Sequence, residues 1–128
     1  MSKPRSFVRM FMPRFASMVL SGEKTQTVRP VPKRMPSVGD RISLRRWEGK
    51  PYRSEQIVLR EATISHVDPI ELAPERFVVA GRQLTPEEAR AFAQADGFNS
   101  PHDLLEWFYV THTLPFAGIL IRWELDKS

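Results

Sequence analysis

The sequence predicts an α+β fold in which a mostly antiparallel, curled sheet carries a few short helices. Six segments have the composition and alternation of strands, whereas helical spacing is confined to three short segments. Near the end, Phe116–Leu125 is predicted to be a strand whose centre, Ile119–Ile121, is apolar on both faces, as in a covered or barrel strand. A length of 128 residues and an apolar content of 41% fit one folded domain spanning residues 1–128.

The first half is predicted to contain three strands and one helix. Ser6–Phe11 alternates as a strand, and the following helix, Pro13–Ser21, opens on a proline. Gly22 readily adopts the left-handed conformation that ends a helix. A polar strand, Thr25–Arg29, comes next, and the three prolines after it exclude a helix before the strand Arg41–Trp47.

The second half is predicted to contain three further strands and two helices. Gln56–Val67 is a long strand that bends near Glu61, and Arg76–Ala80 is a short one. Thr85 and Ser100 are each followed by a proline and by acidic residues, which is the signature of a helix start. The strand at the end of the chain completes the sheet.

Charge is distributed unevenly along the chain. The net charge is +4, but residues 1–60 hold 14 basic and 4 acidic side chains, whereas residues 61–128 hold 5 and 11. A basic region of this kind attracts phosphate-bearing ligands, so the charge predicts contact with a nucleic acid such as RNA or with a nucleotide. A surface that is merely soluble is the alternative.

Several kinds of site are not indicated. The chain has no cysteine, and His66, His102 and His112 lack the spacing of metal ligands, so we expect no metal site and no other cofactor. The apolar run Phe7–Met12 is short and is broken by Arg9, so it does not resemble a signal peptide. No run is long enough to cross a membrane, and we expect a cytoplasmic protein without a membrane partner.

The stretch from Gly22 to Arg29 carries the most functional information. Side chains alternate along a strand, so Thr25, Thr27 and Arg29 share one face, and Lys24 lies at the turn beside it. An amine, two hydroxyls and a guanidinium this close together can bind an anion or activate a hydroxyl nucleophile. A solvated face of an edge strand would show the same pattern.

A second cluster of rings and cations occupies the loop after the strand Arg41–Trp47. Trp47, Tyr52 and Arg53 fall within this loop, and such groups stack on bases and contact phosphates when they are exposed. Packing of the two rings against the sheet is the alternative. Trp107 and Trp123, in contrast, lie on apolar periodic faces and are predicted to belong to the core.

The order of these motifs resembles the ASCH domain family, which is related to the PUA RNA-binding fold. The resemblance covers nearly the whole chain and rests on Gly22-x-Lys24-x-x-x-x-Arg29, Gly39-Asp40, Asp96-Gly97-Phe98 and the run Leu114–Gly118. It implies a PUA-like small β-barrel, mostly antiparallel, with short helices at the rim and a cleft where the lysine and the arginine project.

The resemblance also implies a chemistry. The family includes proposed RNA-binding modules and a branch of amidohydrolases that remove acetyl from N4-acetylcytidine. The chain is similar to that branch at Lys24 and Thr27, and the glutamate of those enzymes falls on Asp96, one methylene shorter. The implied roles are nucleophile for Thr27, general base for Lys24, orienting acid for Asp96, and anion or oxyanion contact for Arg29.

Other functions use the same residues. In a non-catalytic RNA-binding module, Lys24 and Arg29 hold phosphate while Trp47 or Tyr52 stacks on a base. In a ribonuclease, the lysine stabilises the phosphorane. Asp96 precedes a glycine, and Asp-Gly is a common turn pair, so a purely structural role also fits it.

Overall fold

The structure is a computed structural model that describes residues 3–126. In chain order, its elements are β1 (Ser6–Met10), α1 (Pro13–Ser21), β2 (Gln26–Arg29), β3 (Arg41–Trp47), β4 (Gln56–Ala73), β5 (Arg76–Val79), β6 (Arg82–Gln83), α2 (Pro86–Ala95), α3 (Pro101–Thr111) and β7 (Phe116–Leu125). The bounds of α1, β3 and β7 are those that the sequence predicts. β6 is an additional strand that was not predicted.

Strand β4 is central to the sheet because it pairs with three other strands. Its 18 residues pair antiparallel with β7 along one edge, and with β3 and then β5 along the other. β2 pairs with β7 and β6 with β5, both antiparallel, whereas β1 pairs with β3 in parallel. The sheet is therefore mixed but mostly antiparallel, and the α+β class is confirmed.

β4 is irregular near its centre and extends further than predicted. Register shifts leave Leu59 without a partner in β3 and Ser65 without a partner in β7. These bulges flank Glu61, where the sequence predicts a bend, and bulges bend the strand that carries them. β4 then continues through Pro69 to Ala73, and this last part pairs with β5.

The strand pairing corrects the prediction of a barrel, because the sheet is not closed. β1 and β2 share no ladder. Their ends line one cavity instead, and a side chain spans them: Nη2 of Arg29 donates to the carbonyl of Met10 at 2.8 Å. The side chain of Arg29, and no backbone ladder, therefore connects β1 and β2 at this point.

The helix ends follow the predicted signals. Gly22 ends α1 in the left-handed conformation, with φ at 89°. Thr85 forms a capping box with Glu88 at the start of α2, and the side chain of Ser100 caps α3. Trp123 is a buried core residue, as predicted. The ends of α1 and α2 thereby lie beside the start of β2.

Candidate functional site

A cavity of about 210 Å³ opens between the end of β1, strand β2 and helices α1 and α3. Four of the side chains that the sequence singled out line it, namely Lys24, Thr27, Arg29 and Asp96. Most of the remaining lining is aromatic or aliphatic. The structure therefore brings an amine, a hydroxyl, a guanidinium and a carboxylate to one apolar cavity.

Lys24 is held out of solvent between α1 and the end of α2. Its backbone N–H donates to the carbonyl of Met18 at 3.0 Å, which fixes the chain just after the helix. The residue is 3% exposed, and its ammonium donates to the backbone carbonyl of Asp96. The same nitrogen lies 3.6 Å from Oδ1 of Asp96 and 4.9 Å from the centre of the Phe15 ring.

Asp96 is the residue at which α2 ends. Its backbone N–H donates to the carbonyls of Phe92 and Ala93, and a carboxylate at this end of a helix opposes the helix dipole. The ammonium of Lys24 offsets that cost. Gly97 follows with φ at 93°, and a Cβ on it would lie 3.3 Å from Cδ of Lys24. A glycine at this position allows both the turn and the close approach of the lysine stem.

Burial controls the electrostatics of this pair. It lowers the pKa of Lys24, while the nearby charge of Asp96 acts in the opposite direction. Burial raises the pKa of Asp96 to about 6, against the opposing effect of Lys24. Oδ1 of Asp96 has no hydrogen-bond partner within residues 3–126. Burial thus favours the neutral form of both groups, so Lys24 releases its proton more readily than an exposed lysine does.

Thr27 and Arg29 share one face of β2, as the alternation predicts. Thr27 is 4% exposed, and its Oγ1 accepts a hydrogen bond from Nε of Arg29 at 2.9 Å. The guanidinium lies 5.1 Å from the centre of the Phe11 ring. Burial and, after it, the charge of Arg9 lower the pKa of Arg29 to about 10. Because Thr27 accepts this bond, its own O–H remains free to donate to a base.

The other predicted binding residues do not line the cavity. Thr25 joins neighbouring elements through its backbone, since its N–H donates to the carbonyl of Ala95 at 2.9 Å. Trp47 and Tyr52 lie at the connection from β3 to β4, with their ring centres 5.1 Å apart. Tyr52 is 88% exposed and Arg53 is also exposed, so at least this part of the loop is not packed against the sheet.

Aromatic residues that sequence reasoning did not assign to the site complete the cavity. Phe15, Phe98 and Trp107 pack on one another with ring centres 5.3 to 6.2 Å apart. Trp107, predicted as a core residue, is only half-buried and also lines the cavity. His112 lines it too and stacks on Phe108. Phe108 lies on α3 and His112 is the residue at which that helix ends, and their four-residue spacing is a signal that places them on the same side of the helix.

Within residues 3–126, no three histidine, aspartate or glutamate side chains are close enough together to hold a metal ion. None of the helices described there is long and apolar enough to cross a membrane.

The fold is similar to that of a solved domain. The structure titled "High resolution crystal structure of ASCH domain from Lactobacillus crispatus JV V101" matches with a TM-score of 0.57 at 16% identity. The match covers 94% of this chain and 79% of that chain. At this identity the likeness shows the fold, so the chain has an ASCH-type fold. No protein-family model and no curated protein matches the sequence.

Proposed function

We propose that residues 1–128 form one domain of the ASCH family that binds a modified base and hydrolyses an amide on it. The modified base belongs to a nucleoside or to RNA, with N4-acetylcytidine as the model substrate. The observation that carries the proposal is the convergence of two polar pairs, Lys24 with Asp96 and Thr27 with Arg29, on one cavity with aromatic walls. A nucleophile, a base and a cation for the developing oxyanion are thus available together.

The size and the lining of the cavity favour a single base. Its volume of about 210 Å³ lies below the range of about 300–1,000 Å³ that is typical of sites for drug-sized ligands. Aromatic side chains such as Phe11 and Trp107 offer flat apolar surfaces, and these suit the faces of a nucleobase. The acyl group on the base would then reach the polar side chains.

The proposed reaction has two stages. Oγ1 of Thr27 attacks the acyl carbon while Lys24, in its neutral form, accepts the hydroxyl proton. Arg29 stabilises the oxyanion, and Lys24 returns the proton to the exocyclic nitrogen as the C–N bond breaks. Water, deprotonated by the same amine, then hydrolyses the acyl–threonine ester, releases the carboxylic acid and restores the hydroxyl. Asp96 orients the ammonium formed at each stage.

The proton transfer requires the amine of Lys24 to move toward Thr27. In this structure its amine is bonded to the carbonyl of Asp96, and the oxygen of Thr27 accepts a bond from Arg29. Oδ1 of Asp96, which has no hydrogen-bond partner among the described residues, lies 3.6 Å from the amine and can remain its counter-charge as the amine turns toward the cavity.

A binding module without catalysis is the second candidate. It is favoured by one observation, that the amine of Lys24 contacts Asp96 and makes no hydrogen bond to Thr27 among the described residues. In that case Lys24 and Arg29 hold an anion. In either case we propose that Trp47, Tyr52 and Arg53 form a second contact for RNA, and that Thr25 supports β2 rather than the ligand.

Product analysis tests the proposal. The purified protein is incubated with N4-acetylcytidine and, separately, with a short RNA that contains this base, and the products are identified by mass. Release of cytidine and acetate supports the amidohydrolase. Cleavage of the RNA chain supports a ribonuclease, and binding without any product supports the module. The mechanism uses no metal, so activity that a chelator abolishes and zinc restores would contradict it.

A further inference from the structure

Three arginines lie along β1, and the row that they form begins at the cavity. Phe7, Arg9 and Phe11 alternate with their neighbours and so share one face of this extended segment, and four residues of strand backbone, about 13 Å, separate the two phenylalanines. The guanidinium of Arg34 lies 4.2 Å from the centre of the Phe7 ring, and that of Arg29 lies 5.1 Å from the Phe11 ring. Arg9 comes between them. We call Arg9, Arg29 and Arg34 the arginine track.

The track holds like charges close together. Burial is the main reason why the pKa of Arg9 and that of Arg29 are lowered, and the next arginine adds to the effect in both cases. Within the described range, no carboxylate forms an ion pair with any of the three, whereas other arginines have such partners, namely Arg5 with Asp40, Arg41 with Asp126, Arg76 with Glu71 and Arg82 with Glu88. An anion along the track would relieve the repulsion.

Each of the three guanidiniums also has N–H groups that donate no hydrogen bond to the described residues. Arg9 donates to the carbonyl of Val8 at 2.9 Å, and Arg34 donates to the carbonyl of Ser6 at 3.3 Å. Arg29 uses Nε and Nη2 within the protein and leaves Nη1 free of protein partners among the described residues. A guanidinium carries five N–H groups, and its geometry suits bidentate contact with a phosphate.

We propose that the arginine track binds the phosphodiester backbone of a single-stranded RNA, so that the preferred substrate is a modified base within a strand. Arg29 connects the two regions, because it contacts Thr27 in the cavity and is also the first member of the track. A strand that follows β1 places one base in the cavity while its neighbouring phosphates meet Arg9 and Arg34. The inference rests on the proposed function for the identity of that base, but not for phosphate binding.

The test is the salt dependence of RNA affinity. Fluorescence anisotropy measures binding of a labelled short oligocytidylate RNA between about 50 and 200 mM salt, where phosphate contacts have a large effect. The variant Arg9→Gln/Arg34→Gln is compared with Arg90→Gln/Arg122→Gln, which removes two positive charges from exposed positions on α2 and β7. Each single-strand phosphate contact contributes about 0.7 to the steepness of log affinity against log salt. The steepness should therefore fall by about 1.4 in the track variant and stay at the parent value in the control.

Further measurements separate this inference from the proposed function. Arg9 and Arg34 do not line the cavity, so the track variant should bind and hydrolyse free N4-acetylcytidine as the parent does. RNA affinity lost only in the track variant supports the track even if the parent never acts on the nucleoside, in which case the proposed function alone fails. If the double variant does not fold, Arg34→Gln, at an exposed position, should still reduce the slope by about 0.7.

Two results would contradict the proposal that the arginine track binds RNA. The first is an equal loss of RNA affinity in the track and control variants, which would indicate attraction by net charge alone. The second is that the parent protein fails to bind RNA but binds vesicles of anionic lipid, and that Arg9→Gln/Arg34→Gln loses the vesicle binding. This result would assign the arginines to lipid headgroups.

Discussion

At the scale of single residues, the proposed chemistry depends on the proton that Lys24 carries. Burial lowers the pKa of its ammonium, and the neighbouring Asp96 limits how far it falls. Lys24→Met keeps the apolar stem and removes the amine, so turnover of N4-acetylcytidine should fall by at least about 100-fold, as expected for loss of a general base. Lys33→Met, at an exposed loop position, is the control. A Lys24→Met protein with normal turnover but weaker RNA binding would favour the non-catalytic module.

Asp96 should make stability depend on pH. Its pKa in the folded protein is about 6, above the ordinary value of 3.8, because burial disfavours the charged form. The folded state therefore binds this proton more tightly than the unfolded state does, and the resulting stabilisation is lost as the pH rises through about 6. Asp96→Asn cannot titrate, so its melting temperature should rise relative to that of the parent between about pH 4 and pH 7.

The comparison for this prediction is Asp68→Asn, on β4 and outside the cavity lining. Thermal melts of the three proteins are recorded over the same pH series. If the difference in melting temperature between Asp96→Asn and the parent stays constant across the pH series, burial does not control ionisation of this carboxyl. Asp96→Asn should also reduce turnover, because the ammonium of Lys24 loses the group that orients it.

At the scale of elements, the close approach of β7 to β2 requires Gly118. A Cβ at this position would overlap the carbonyl oxygen of Arg29 and lie 2.9 Å from the Phe116 ring. Gly118→Ala should therefore reduce the free energy of unfolding by about 1–3 kcal/mol or more, measured by urea denaturation. Gly49→Ala, whose Cβ would lie 3.6 Å from the nearest atom, is the control. Equal stability of the two variants would show that β2 can shift without cost.

In the connection from β3 to β4, the exposed ring of Tyr52 allows a role in RNA recognition to be tested without disturbing the fold. Tyr52 is 88% exposed and contacts Trp47, so Tyr52→Ala should spare the melting temperature. If the ring stacks on a base, RNA affinity should fall by about 1–3 kcal/mol. Tyr109→Ala, on α3 and 69% exposed, provides a control for the loss of an exposed ring. A large drop in melting temperature with unchanged affinity would assign the ring to packing instead.

At the scale of the whole molecule, local signals predicted the elements well. Proline at helix starts, the caps Thr85 and Ser100, and Gly22 at a helix end act through neighbouring residues, and the structure has helix boundaries at these positions. β6 is only two residues long and has no periodicity to detect. The extension of β4 beyond Val67 was missed because Pro69 interrupts the local strand pattern.

Features that depend on distant contacts were harder to predict. Lys24 and Asp96 are 72 positions apart, and before the structure only the family resemblance connected them. The open edge between β1 and β2 and the exposed side of Trp107 follow from how the cavity is packed. Sequence periodicity reports which face is apolar, but not whether a cavity lies beside it.

The central claim is that the hydroxyl of Thr27 attacks the amide, and side-chain substitution tests it most directly. Thr27→Val keeps the shape of a residue that is 4% exposed and removes the hydroxyl, whereas Thr27→Ser keeps the hydroxyl. Release of cytidine from N4-acetylcytidine is measured for the parent and both variants after thermal melts have shown that all three fold. Thr27→Val should lose at least about 100-fold in turnover while Thr27→Ser retains most of it. Hydrolysis by Thr27→Val at the rate of the parent would contradict the account.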